Sequence, residues 1–164
     1  MLTIRTAVFA DAPVLCAAER ETAQTPGLLV SQPHELTVVA FEQKIQALSR
    51  AGIYLVAESD GAAVGHALLE PMPLQAMSHV FSLTIVVHPG HVGRGIGKAM
   101  MTALMAWADA SAVVEKVELR VREGNAAARA LYQAFGFVEE GRLSGRIKVG
   151  KDRYIADILM AKMC

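Results

Sequence analysis

Residues 83–98 read Leu83-Thr84-Ile85-Val86-Val87-His88-Pro89-Gly90-His91-Val92-Gly93-Arg94-Gly95-Ile96-Gly97-Lys98, and this stretch decides the fold. A β-branched apolar run stops at a proline, a glycine-rich turn follows, and an apolar-periodic segment begins. That order predicts strand, loop and helix. A loop of this kind aims successive backbone N–H groups and a helix N-terminus at one point, which suits an anion. Two nucleotide loops do not fit. A P-loop needs GxxxxGK[ST], and counting back from Gly97-Lys98 puts Val92 at its first glycine and Ala99 at its hydroxyl. A dinucleotide loop needs GxGxxG, and its last position falls on Lys98 counted from Gly93 or on Met100 counted from Gly95.

Beyond the loop, Met101, Leu104, Met105 and Ala108 recur at i, i+3, i+4 and i+7. This predicts a helix over about 94–110 with one buried face. A strand over 115–121 follows, with Val117, Leu119 and Val121 on one side and Glu118, Arg120 and Arg122 on the other. The unit 79–87, 94–110, 115–121 is a βαβ crossover, expected to be right-handed with parallel strands.

Upstream, a short strand at 2–5 precedes a helix over about 11–22, with Asp11 as N-cap and Pro13 in its first turn. A second helix is expected over about 35–49. Strands 53–58 and 63–70 form a hairpin about Ser59-Asp60-Gly61. Downstream, Asn125 caps a helix over 126–135, and Gly136 suits the left-handed residue of a Schellman motif. Strands 137–149 and 154–161 close the chain. The fold class expected is α/β (α+β): one domain over 1–164, a mixed sheet of about six to seven strands, and helices on both faces.

The chain has 164 residues, 53% of them hydrophobic and 20% charged, which excludes a disordered polypeptide. Sixteen basic and sixteen acidic residues cancel, so net charge favours neither nucleic acid nor an anionic membrane. Cys16 and Cys164 are too few for a disulfide framework or a metal cluster. No signal peptide or spanning segment is recognised, and a soluble cytoplasmic protein without a metal is expected.

A second motif lies about thirty residues beyond the loop: Asn125-Ala126-Ala127-Ala128-Arg129-Ala130-Leu131-Tyr132-Gln133-Ala134-Phe135-Gly136-Phe137. Together the two stretches resemble the GNAT superfamily of N-acetyltransferases. The first is similar to its acetyl-coenzyme A (acetyl-CoA) loop and the second to its N-x-x-A-x-x-L-Y-x-x-x-G-F motif. Within the superfamily the chain looks most like bacterial members acting on free amino acids or other small amines. Ser78-His79-Val80 and Tyr154-x-x-Asp157-x-x-Met160 add to that likeness. One departure stands out, because Val92 occupies the usual Gln/Arg position of the loop.

The resemblance implies that central parallel strands splay apart. It also implies that Ile85, Val86 and Val87 bind the pantetheine arm through the main chain, with an N–H near Val86–Val87 polarising the thioester carbonyl. Gly93, Arg94, Gly95, Ile96, Gly97 and Lys98 would hold the pyrophosphate, and Asn125 would contact the arm. Tyr132 is the catalytic candidate, its phenol protonating the leaving thiolate. The general base stays open between Glu118, His79, His66, Glu70 and a water relay, since Arg120 occupies the position where some relatives carry a Glu. Arg142, Arg146 and Arg120 are candidates to hold an acceptor carboxylate. The expected activity is acetyl transfer from acetyl-CoA to a small-molecule primary amine by direct attack in a ternary complex. The alternatives are an acetyltransferase of protein N-termini or lysines, and a non-catalytic acetyl-CoA-binding module. A homodimer is a family-level expectation.

Overall fold

A computed structural model describes residues 1–164. In chain order its elements are β1 (Leu2–Thr6), α1 (Ala12–Ala23), α2 (Val38–Ala51), β2 (Ile53–Ser59), β3 (Ala62–Pro71), β4 (Val80–Val87), α3 (Ile96–Ala110), β5 (Lys116–Arg122), α4 (Ala126–Ala134), β6 (Val138–Gly150) and β7 (Arg153–Met163). The strands make one sheet in the order β1-β2-β3-β4-β5-β7-β6. Every neighbouring pair is antiparallel except β4 and β5.

Register assigns the faces. His66 stands opposite Val86 and Leu68 opposite Thr84, so these four share one side of the sheet. Residues one step away, Ala67 with Ile85 and Leu69 with Leu83, take the other. On the first side α1 and α2 bury Leu15, Cys16, Phe41, Ile45 and Leu48 against Tyr54, Val56 and Leu68. On the second, Met100, Met101, Leu104 and Met105 of α3 pack on Leu69, Leu83, Val117, Leu119 and Ile158. Each such side chain stabilises the fold by about 1.5–3 kcal/mol relative to exposure.

Element ends differ from the sequence expectation for local reasons. α3 starts at Ile96 and not near Arg94, because Gly93 and Gly95 hold φ of 80° and 77°. Residues 33–35 form a separate 3₁₀ turn, and α2 begins at Val38, where Thr37 Oγ1 accepts the Ala40 N–H at 3.2 Å. Asp11 precedes α1, but its carboxylate accepts from Arg5 and from the Val8 N–H and does not cap the helix. Arg122 lies on the expected side of β5 yet is buried, because Asp157 stands beside it in β7 at 3.0 Å. A partner of opposite charge lets the guanidinium leave water.

α4 ends as expected. The Phe137 N–H bonds the Tyr132 carbonyl at 3.1 Å, the Gly136 N–H bonds the Gln133 carbonyl at 3.0 Å, and Gly136 has φ of 91°. These are the two bonds of a Schellman motif, and they fix the turn that carries Tyr132.

The last residue before β2 is packed hard. A Cβ on Gly52 would overlap the carbonyl oxygen of Leu69. Gly52→Ala is therefore expected to lower stability by about 1–3 kcal/mol, read as a shifted urea midpoint. An unchanged midpoint would contradict this packing.

Candidate active site

β4 and β5 pair only from Val80 to Ser82 with Lys116 to Glu118. β4 then continues to Val87 and β5 to Arg122 without each other. Along a strand, alternate residues point their N–H and C=O to opposite neighbours. In each diverging segment, half of those groups therefore face the opening, where a buried N–H or C=O requires a partner. The opening is a cleft of about 680 Å³ whose walls include Leu83–Val87 and Leu119–Arg122. It can take an extended chain bearing amides as though that chain were another strand.

The anion loop closes one end of this cleft. Gly93, Gly95, Gly97 and Lys98 line it. Left-handed backbone at Gly93 and Gly95 turns successive amides inward without the cost a Cβ would bring. α3 begins on Gly95 with no side-chain cap and no acidic residue in its first turn. Its first N–H groups and the positive end of its dipole thus remain for a ligand.

Of the residues predicted from sequence, the cleft wall brings together Ile85, Val86, Val87, Gly93, Gly95, Gly97, Lys98, Asn125 and Tyr132. Arg94 and Ile96 are not part of it. The Ile96 side chain turns down into the core at 4% exposure, leaving only its main chain to the loop. Asn125 Oδ1 accepts the Ala128 N–H at 3.2 Å, so the residue caps α4 as well as lining the cleft. Tyr132 is buried, and desolvation pushes its phenol up to about 12, with the Arg122 charge pulling the other way. The phenol is therefore protonated at neutral pH.

The base candidates separate. Glu118 lines the cleft and receives a hydrogen bond from Lys116 Nζ at 3.1 Å. His79 lies at the closed end of the β4–β5 pair, where its carbonyl accepts from the Glu115 and Lys116 N–H groups. Glu70 is paired with Lys44 at 3.0 Å, away from the cleft wall. His66 is wholly buried between His88 and Glu19 and does not line the cleft. Of the three arginines expected to hold an acceptor carboxylate, only Arg120 lines the cleft. Arg142 is tied to Glu123 at 3.0 Å, and Arg146 lines a separate hollow with Gln24, Gln32 and Lys148.

Sequence reasoning missed three features. Arg122 was readable only as an alternating strand residue and Asp157 only as part of the closing motif, yet they form a buried pair 3.0 Å apart in which Arg122 Nε has no hydrogen-bond partner. Thr22, Leu28 and Leu29 wall the cleft from the α1 side, although residues 28–30 carry no periodic signal. Finally, Glu19, His66 and His88 meet from three distant points of the chain. The structure has no group of three or more His, Cys, Asp or Glu residues that could hold a metal ion, and no helix long and apolar enough to cross a membrane.

Burial, together with the neighbouring His66, pushes His88 down from 6.5 to about 4. Between those values the unfolded chain binds a proton that the folded chain refuses, so stability falls as the pH drops through that window. Urea unfolding at pH values from about 7 to about 4.5 is expected to show this slope. His88→Gln is expected to remove on the order of 2–3 kcal/mol of it. A slope identical in the variant would contradict the assignment to His88.

The comparisons agree with this geometry. The model of the acetyltransferase (GNAT) family matches residues 18–137. The L-amino acid N-acetyltransferase AaaT of Escherichia coli is 36% identical over 93 residues, 56% of this chain and 57% of that one. The N-alpha-acetyltransferase RimI of Mycobacterium tuberculosis is 35% identical over 106 residues, 62% of each chain. The chain therefore spans only about three fifths of the length of these relatives. The crystal structure of a GNAT-family acetyltransferase from Streptococcus pneumoniae superposes with a TM-score of 0.91 at 25% identity, covering 100% of both chains. With its central strands parted over a glycine loop and most of its length matched, the chain belongs to the GNAT family of acetyltransferases.

Proposed function

We infer that this chain transfers an acetyl group from acetyl-CoA to a primary amine, and that the acceptor is a free amino acid or a similar small amine. The observation that carries the reading is the gap between β4 and β5 beside the left-handed glycine loop. A thioester cofactor with an amide-bearing arm and a pyrophosphate matches both halves, the strand edge taking the arm and the loop amides the phosphates. When bound, acetyl-CoA supplies an activated acetyl group.

The chain's own groups then have distinct tasks. Ile85, Val86 and Val87 orient the arm through main-chain bonds, and an N–H at Val86–Val87 faces the thioester oxygen as negative charge develops on it. The amine approaches from the α1 side of the sheet, past Thr22, Leu28 and Leu29. Nucleophilic attack forms the C–N bond and the C–S bond breaks. Tyr132, held protonated by burial, gives its phenolic proton to the departing sulfur. The amine proton leaves to Glu118 directly or through water. Arg120, exposed in the same cleft, suits an acceptor carboxylate. AaaT, an L-amino acid acetyltransferase by name, favours the amino-acid acceptor. RimI, an N-alpha-acetyltransferase by name, favours a second reading in which the amine is a polypeptide N-terminus.

Release of the coenzyme A thiol, followed across amino acids, polyamines and short peptides, discriminates these acceptors. Tyr132→Phe is expected to lower kcat about tenfold or more while leaving acetyl-CoA affinity near that of the parent. An unchanged kcat at saturating substrate would remove Tyr132 from the chemistry. Gly95→Ala is expected to do the opposite, weakening acetyl-CoA binding about tenfold because a left-handed alanine displaces the loop amides. Equal affinity in that variant would contradict the pyrophosphate assignment. No thiol release with any amine, despite acetyl-CoA binding, would identify a binding module.

A further inference from the structure

A buried polar chain with no part in the chemistry above crosses the α1 side of the sheet. His88 Nδ1 lies 3.2 Å from the Ala63 carbonyl, His88 Nε2 lies 2.8 Å from His66 Nδ1, and His66 Nε2 lies 2.9 Å from Glu19 Oε1. His66 is 0% exposed and His88 4%. The chain joins three places that matter to the site. Glu19 is one turn before Thr22, which walls the acceptor side. His66 stands opposite Val86 in the sheet. His88 is the residue from which the anion loop departs.

With all three contacts made as hydrogen bonds, stoichiometry fixes the protons. A carbonyl can only accept, so His88 Nδ1 carries a hydrogen. His88 is neutral, so its Nε2 offers a lone pair. His66 Nδ1 must then donate to it. Only His66 Nε2 and Glu19 Oε1 remain, and two lone pairs at 2.9 Å would repel. One proton therefore sits between them, as imidazolium with carboxylate or as imidazole with carboxylic acid. Either way the three side chains are neutral in sum. Removing that proton leaves one net negative charge in the interior, at the root of a loop built to receive an anion.

We propose that Glu19, His66 and His88 are positioning residues whose one shared proton ties α1 to the anion loop and keeps that loop receptive to acetyl-CoA. The proposal rests on the acetyl-CoA reading for its ligand but not for its proton count. By linkage, loss of the proton weakens acetyl-CoA binding, and acetyl-CoA binding in turn strengthens the hold on the proton.

Other charged or titratable groups frame the chain. Cys16 and Arg20 belong to α1, with Arg20 held by the Leu36 carbonyl. Tyr54 of β2 stacks on His66, and its phenol is held well above its usual range by burial. Glu70 of β3 is neutralised by Lys44 of α2, Asp11 is held by Arg5, and His91 belongs to the loop. None of them is in hydrogen-bond contact with His66 Nε2 or Glu19 Oε1, so none supplies the missing proton.

The test is NMR of the full chain with 15N-labelled histidine and backbone, across the pH range in which the chain stays folded. Ring shifts are expected to show His66 and His88 both protonated at Nδ1 at the lower end. The amides of residues 91–96 are expected to shift with pH in step with the ring signals. Glu19→Gln replaces the shared proton with an amide N–H that donates to His66 Nε2 without titrating. It is expected to abolish the loop titration while preserving the His66 tautomer. In the parent, acetyl-CoA affinity is expected to fall about fivefold or more over the same range, with proton uptake on binding. In Glu19→Gln the affinity is expected to stay flat.

A His66 ring protonated only at Nε2, loop amides that do not follow the ring signals, or an unchanged affinity slope in Glu19→Gln would each overturn the proposal. Because the parent's ring and loop shifts are read without ligand, they decide it even if Glu19→Gln fails to fold. Failure of acetyl-CoA to bind at any pH would count against the acetyl-CoA reading and leave those shifts to decide the proton chain.

Discussion

Everything in this molecule depends on two parallel strands that part after three residue pairs. A strand edge is ordinarily satisfied by its neighbour or covered by the fold. Here the middle of a seven-stranded sheet has two facing edges left unpaired, from Leu83 to Val87 and from Leu119 to Arg122. The fold tolerates this because each strand is held firmly on its other side. β4 is paired with β3 along its last seven residues, and β5 with β7 along its entire length. α3 packs beneath both strands through Met101, Leu104 and Met105, so the opening is shaped by a dry core. A cofactor arm that completes the sheet gains main-chain hydrogen bonds that no side-chain substitution can readily remove.

The loop and the fourth helix are then placed by backbone chemistry. Gly93 and Gly95 bend the chain where β4 ends, and the uncapped start of α3 follows at once. The Schellman motif at the end of α4 anchors Tyr132 by its own carbonyl, while burial keeps the phenol protonated. Binding, carbonyl polarisation and proton donation thus draw on three separate local rules. The departure read at Val92 falls on a side chain 72% exposed to solvent, whereas the amides proposed to receive phosphate belong to the glycines.

Much of this was legible in the sequence, and the limits are physical. The helix period of Met101, Leu104, Met105 and Ala108 and the alternation of Val117, Leu119 and Val121 placed the crossover correctly, because burial imposes those periods. The glycines of the loop and Gly136 were readable because each meets a backbone demand. Alternation also put Arg122 beside Glu118 and Arg120, but it cannot say that Asp157, thirty-five positions later, buries it. For the same reason His66 was read as a cleft residue. Its real neighbours, Glu19 and His88, are forty-seven and twenty-two positions away, and no period connects them. The apolar stretch Leu28–Val30 could be seen but not given a role, because an irregular segment follows no repeat, although Leu28 and Leu29 line the cleft.

The central claim is that the parted strands and the glycine loop together receive acetyl-CoA. The most direct measurement is amide hydrogen exchange of the full chain with and without acetyl-CoA. Protection is expected to rise in two separate stretches, residues 83–87 and residues 93–98, at the same ligand concentration. Protection confined to the loop, or arising away from both stretches, would contradict the account.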